Sequence, residues 1–108
     1  MNEYRKAYVF VSNKYAGILK ETDDGYSFQY DKSYLLLSDC EAVSLTIPLK
    51  NDEYKSKYLF PFFDGLIPEG WLLNVVARNW KIDLNDRFGL LLVTCSDPIG
   101  NVIIKETL

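Results

Sequence analysis

Histidine is absent from this chain of 108 residues, and cysteine occurs only at Cys40 and Cys95. Without histidine there is no ordinary proton shuttle and no Ser-His or Cys-His nucleophile pair. Two cysteines so far apart, with no CxxC spacing, do not make a structural zinc site, and no metal is expected. They read as small, reduced core or near-core residues of a cytosolic protein. No run of 18 apolar residues exists, and Met1–Lys6 lacks the apolar stretch of a signal peptide, so no membrane partner is expected and the location is read as cytoplasmic. Neither the P-loop nor the kinase glycine-rich pattern occurs. A basic excess is missing too: 12 Lys and Arg against 15 Asp and Glu give a net charge of −3. Autonomous nucleic-acid binding is not expected, because such domains neutralise phosphates with a surplus of cations. The acidic balance suits a basic protein partner.

The acidic pairs that remain have structural explanations. Asp23-Asp24 sits at a hairpin turn, Asp52-Glu53 in a charged loop, and Asp83 and Asp86 at a helix start. Glu69 beside Gly70 could act as a base, but no group at a fixed spacing supports it, and Cys95 would be reactive only in an electropositive setting. The reading is a protein that is not an enzyme and needs no cofactor.

What is present is apolar and aromatic. Hydrophobic residues make up 48% of the chain, with eight Tyr, six Phe and two Trp. One domain spanning residues 1–108 can bury a core without disulfides. The aromatic load serves either that core or a partner surface. Ala7–Val11 is β-branched and aromatic, Ser12–Tyr15 is a polar turn, and Gly17 opens a second run, Ile18-Leu19-Lys20. Asp24-Gly25 marks a hairpin, and Tyr26-Ser27-Phe28-Gln29-Tyr30 alternates strictly, so a three-stranded antiparallel meander is expected. Tyr34-Leu35-Leu36-Leu37 is either a short strand or an apolar loop over the sheet. Val43–Leu49 reads as a strand ended or confined to an edge by Pro48, and Asn51–Lys57 as a solvated loop. Pro68-Glu69 starts a main helix over about 68–80, and a shorter one is expected over about 86–93, capped by Asp83 or Asn85. After a turn at Asp97–Gly100, Val102–Lys105 closes the sheet. Strands, then helices, then a strand make an α+β fold with a small antiparallel sheet.

The run Phe60–Trp71 holds four aromatics, two prolines and two glycines in a dozen residues, too broken for a strand and too apolar for a solvated loop. On a helical wheel Leu72, Leu73, Val76, Ala77 and Trp80 share one arc, the expected core stripe. Asn74 and Arg78 lie opposite, with Trp71 and Val75 beside them. Trp71 either folds back over Phe60–Phe63 as a local lid or stands out as an anchor for a partner.

Six short motifs occur in order: Gly17-Ile18-Leu19, Phe28-Gln29-Tyr30 with Tyr34-Leu35, Ser44-Leu45-Thr46-Ile47-Pro48-Leu49, Phe62-Phe63-Asp64-Gly65-Leu66-Ile67-Pro68-Glu69-Gly70, Asp86-Arg87-Phe88-Gly89-Leu90-Leu91, and Asp97-Pro98-Ile99-Gly100. Together they resemble the N-terminal subdomain of HipA-family toxin kinases, most strongly after Val43. Gly65 stands where that family often has Asn, and Cys95 and Asn101 also depart from its pattern. The chain reaches Leu108 without a kinase, as in the HipS-type antitoxins of tripartite HipBST systems. The resemblance implies an antitoxin that binds and neutralises a HipT-like serine/threonine kinase toxin, with a HipB-like DNA-binding protein as a possible third member. The alternative is a non-inhibitory module that assembles the kinase–repressor complex; an excised fragment of a longer kinase is a third reading. The expected partner-binding residues are Trp71, Val75, Phe62, Phe63, Asp64, Glu69 and Arg78.

Overall fold

The computed structural model describes residues 4–67, 70–94 and 101–106, and for Trp71 and Val76 the backbone only. The expected meander is present. Strands β1 (Lys6–Val11), β2 (Lys14–Thr22) and β3 (Gly25–Tyr30) pair in sequence, all antiparallel. The first turn is tighter than the polar stretch Ser12–Tyr15 suggested, because Val11 pairs with Lys14 across Ser12 and Asn13 alone. Both turn residues have positive φ, 50° and 67°, which matches the twist of the flanking strands. At the second turn Gly25 has φ 148°, and a Cβ there would lie 2.2 Å from the Ser56 carbonyl oxygen. Only glycine lets the chain pass so close to its neighbour.

That neighbour is β4 (Tyr54–Ser56), which pairs with β3. The charged stretch 51–57 is therefore partly an edge strand and not only a solvated loop; its polar outward residues suit an edge. Strand β5 (Val102–Lys105) closes the other side against β1, as expected. The sheet order is β4-β3-β2-β1-β5.

Two further expectations are corrected. Tyr34 and Leu35 belong to a short helix α1 (Lys32–Leu35), neither strand nor loop, because the Asp31 carboxylate accepts the Tyr34 N–H at 3.3 Å and caps it. Leu36 and Leu37 follow as an exposed turn that does not cover the sheet. Val43–Leu49 is not a strand. It is a turn bridged between Ser44 and Ile47, with Leu45 fully exposed at its tip. The buried Tyr30 hydroxyl holds this turn, accepting from the Val43 N–H at 3.0 Å and donating to the Ile47 carbonyl. A side chain thus takes the backbone groups that a ladder would have used.

The aromatic run folds first into α2 (Pro61–Asp64), with Pro61 at its first position, where the missing N–H costs nothing. Helix α3 (Gly70–Trp80) and helix α4 (Arg87–Thr94) follow, while the expected start at Pro68-Glu69 lies outside the described residues. The cap of α4 is Asp86, not Asp83 or Asn85: its carboxylate accepts the Gly89 N–H at 3.1 Å, whereas Asp83 is bonded to the Asn85 N–H. Cys95 and the turn Asp97–Gly100 also lie outside the described residues.

Helices cover one sheet face only. Val9, Leu19, Phe28, Tyr30 and Ile104 meet Phe63, Phe88, Leu90 and Leu91 in a single buried cluster. The architecture is α+β, an open five-stranded antiparallel sheet with short helices on one side. Among the described residues no helix is long and apolar enough to cross a membrane.

Candidate interaction surface

The α2–α3 corner is built on a rigid base. Phe63 has no exposed surface and packs against Phe28, Phe60 and Phe62, with ring centroids 5.6, 6.2 and 5.2 Å away. Asp64 ends α2 and accepts a hydrogen bond from Arg87 Nε at 2.7 Å, tying α2 to α4. Helix α4 is tied in turn to the sheet. Arg5 donates to both carboxylate oxygens of Asp86 at 2.9 and 2.7 Å and to both oxygens of Glu21 at 2.7 and 3.0 Å. Its guanidinium also lies over the Phe88 ring, 5.2 Å from the centroid. Hydrogen bonding to Arg5 holds the carboxyls of Glu21 and Asp86 below the usual carboxylate range, and the Arg5 guanidinium is correspondingly harder to deprotonate.

Helix α3 rests on this base along a narrow seat, with α4 as its main neighbour. Ala77 is buried and Leu73 half-buried. The expected core stripe fails elsewhere: Leu72 is 45% exposed and Trp80 64%. Val75, one step further round, is 38% exposed, and Leu84 beyond the helix is 45% exposed. Residues 75, 72 and 80 cover about 140° of the helix circumference beside the seat. The result is a helix face open to solvent that is apolar except for exposed Asn79, which falls between Val75 and Leu72.

The site residues anticipated from sequence are scattered by the fold. Val75 and Arg78 are exposed on α3. Asp64 is partly exposed but engaged by Arg87, and Phe62 is half-buried on Phe63. Phe63 is core and supports the corner without reaching solvent. Glu69 and the Trp71 side chain lie outside what is described. Leu72, Trp80 and Leu84 were missed. For Leu72 and Trp80 the signal was available in the width of the apolar arc, which exceeds what an 11-residue helix with one neighbour can bury; Leu84, beyond the helix, carried no such signal. Among the described residues no cluster of three His, Cys, Asp or Glu could hold a metal.

Comparison with known proteins gives concordant results. The family model of the HipA N-terminal domain matches residues 7–105. An uncharacterized protein of Haemophilus influenzae (strain ATCC 51907 / DSM 11121 / KW20 / Rd) is 34% identical over 102 residues, covering 94% of this chain and 92% of that protein. A solved structure described as the N-terminal domain of HipA toxin matches with a TM-score of 0.72 and 31% identity, covering 100% of this chain and 99% of that one.

Proposed function

Because the chain belongs to the HipA N-terminal domain family, we propose that this toxin–antitoxin-related module binds a HipT-like serine/threonine kinase toxin and neutralises it. The observation that carries the reading is the open, mostly apolar face of α3, Leu72, Val75 and Trp80, which follows the aromatic segment 60–67. Contiguous apolar surface on a rigid support is where a partner gains most from excluding water. The Haemophilus relative is matched over 92% of its length, which leaves little room there for a kinase and favours a domain that acts from outside one. In this reading the corner docks on the kinase, Trp71 enters or covers the catalytic cleft, and inhibition is steric.

Titration of the purified kinase with this protein, reading substrate phosphorylation and binding together, tests the proposal. Phosphorylation should fall in step with occupancy. The pair Leu72→Ala/Trp80→Ala should weaken binding at least tenfold with no change in thermal midpoint. Tight binding with undiminished phosphorylation would defeat the antitoxin reading in favour of a scaffold for a kinase–HipB-like complex. Rescue of growth by Trp71→Ala equal to wild type would remove Trp71 from the mechanism.

A further inference from the structure

The sheet face turned away from the helices carries its own pattern. Lys6 pairs with Lys20, Lys20 with Ser27, and Ser27 with Lys55, so three lysines lie in one row across four strands. At about 4.8 Å per strand the row spans roughly 14 Å. The next row is Lys105, Tyr8, Ile18 and Gln29, and the third is Ile103, Phe10 and Tyr15. In a chain of net charge −3, these outward positions hold four lysines and no carboxylate. Lys6 and Lys20 have no ion pair among the described residues. The Ser27 hydroxyl in their row is buried and unpartnered, so it offers the flanking ammonium groups nothing. Acidic groups at the rim are Asp23 and Asp24, which share a hollow with Lys55 and Glu53, Glu53 itself 4.0 Å from Lys55 Nζ, and Asp31, which with burial raises the Tyr15 hydroxyl pKa.

We propose that this helix-free sheet face is a second docking surface, for a protein surface that surrounds an apolar centre with carboxylates. Tyr8, Phe10, Tyr15 and Ile18 are each half-buried and give the apolar ground, and the lysines give the complementary charge. Single-stranded nucleic acid fits less well, because it needs open ring faces for stacking. Here Tyr15 packs against Tyr8 and Phe10, with ring centroids 5.9 and 5.8 Å away, and the Lys105 ammonium sits over the Phe10 ring at 4.9 Å. The face is opposite the α2–α3 corner, so it is available whether or not the proposed kinase docking holds.

Amide-shift titration of the full chain by NMR, with a random Glu–Tyr copolymer, polyglutamate and an oligothymidylate of matched charge, tests this. The copolymer should shift residues of the Tyr8 and Phe10 rows at about tenfold lower concentration than polyglutamate. Lys6→Glu/Lys20→Glu should weaken that response about tenfold, while Lys81→Glu, beyond α3 on the helical side, should not. Unchanged thermal midpoints of both variants certify folding, and the wild-type shift map locates the site independently of them. Shifts elsewhere, no shifts, or an equal response to polyglutamate would overturn the proposal. Tighter binding of oligothymidylate would make the face a nucleic-acid surface instead.

Discussion

Gly89→Ala separates helix propensity from the built environment of α4. Gly89 is buried in the first turn of α4, so propensity alone predicts that alanine stabilises by about 1 kcal/mol. The structure predicts the opposite sign. A Cβ at 89 would lie 2.3 Å from Asp86 Oδ2 and 3.0 Å from Arg5 Nη1. The Asp86 carboxylate cannot step aside freely, because it caps the Gly89 N–H and holds two Arg5 hydrogen bonds. Displacing it loses a cap of about 1 kcal/mol and an ion pair of about 0.5 kcal/mol, discounted for solvent exposure. Set against the propensity gain, the net is a loss of about 0.5 kcal/mol, or a fall of about 3 °C in thermal midpoint. In an Asp86→Ala background the main obstruction is gone. Arg5 keeps its Nε and Nη2 bonds to Glu21, while Nη1, released from Asp86, has only to give by a few tenths of an ångström. The same substitution should then stabilise by about 1 kcal/mol. Urea denaturation of the four proteins in the cycle therefore predicts a coupling of about 1.5 kcal/mol. A coupling below about 0.5 kcal/mol, or stabilisation by Gly89→Ala in the wild-type background, would refute the reasoning.

Three further outcomes follow from the same contacts. Tyr30→Phe leaves the Val43 N–H and Ile47 carbonyl without their partner and should cost about 1–3 kcal/mol in urea denaturation, with the 43–47 turn losing hydrogen-exchange protection first. Phe63→Ala empties a fully buried aromatic site and should cost about 3–5 kcal/mol, whereas Leu45→Ser at the fully exposed turn tip should stay within about 0.5 kcal/mol. Glu21 and Asp86 have ordinary values of 4.5 and 3.8 that are lowered in the fold, so their contribution is complete above those values and is lost as pH falls through the lower folded ones. Arg5→Ala should therefore flatten the pH dependence of the urea midpoint below about pH 4.5; an unchanged slope would show that Arg5 is not its cause.

The elements legible from sequence are those whose signal is local. The β-branched run Ala7–Val11, the Tyr26–Tyr30 alternation, the Asp24-Gly25 turn and the apolar stretch within 86–93 each depend on neighbours within a few residues, and β1, β3 and α4 lie within a residue or two of where those signals put them. The misread segments depend on distant partners. Val43–Leu49 has strand composition, but the Tyr30 hydroxyl from β3 folds it into a turn. Residues 54–56 look like loop and become strand because β3 offers an unpaired edge. The cap of α4 went to Asp86 because Arg5, 81 positions away, fixes its carboxylate. For the interaction surface, the wheel separates polar from apolar correctly but does not reveal how much of the apolar arc has a neighbour to cover it.

That uncovered arc sets a limit on what α3 can do by itself. Complete burial is worth about 1.5–3 kcal/mol for a large apolar side chain, and Leu72, Val75 and Trp80 retain 45%, 38% and 64% of their exposure. Covering all three would then contribute about 3 kcal/mol, while micromolar binding requires about 8 kcal/mol. The described face of α3 is too small to hold a partner alone. On the proposed reading stable docking needs further contacts, and the segment 60–67, with Phe62 half-buried and held on the Phe63 base, is the proposed source of them. Truncating Leu72, Val75 and Trp80 to alanine together should thus weaken kinase binding by about 100-fold and no more. If that triple variant loses binding altogether while its thermal midpoint is unchanged, α3 is the whole of the interface and the corner is only its support.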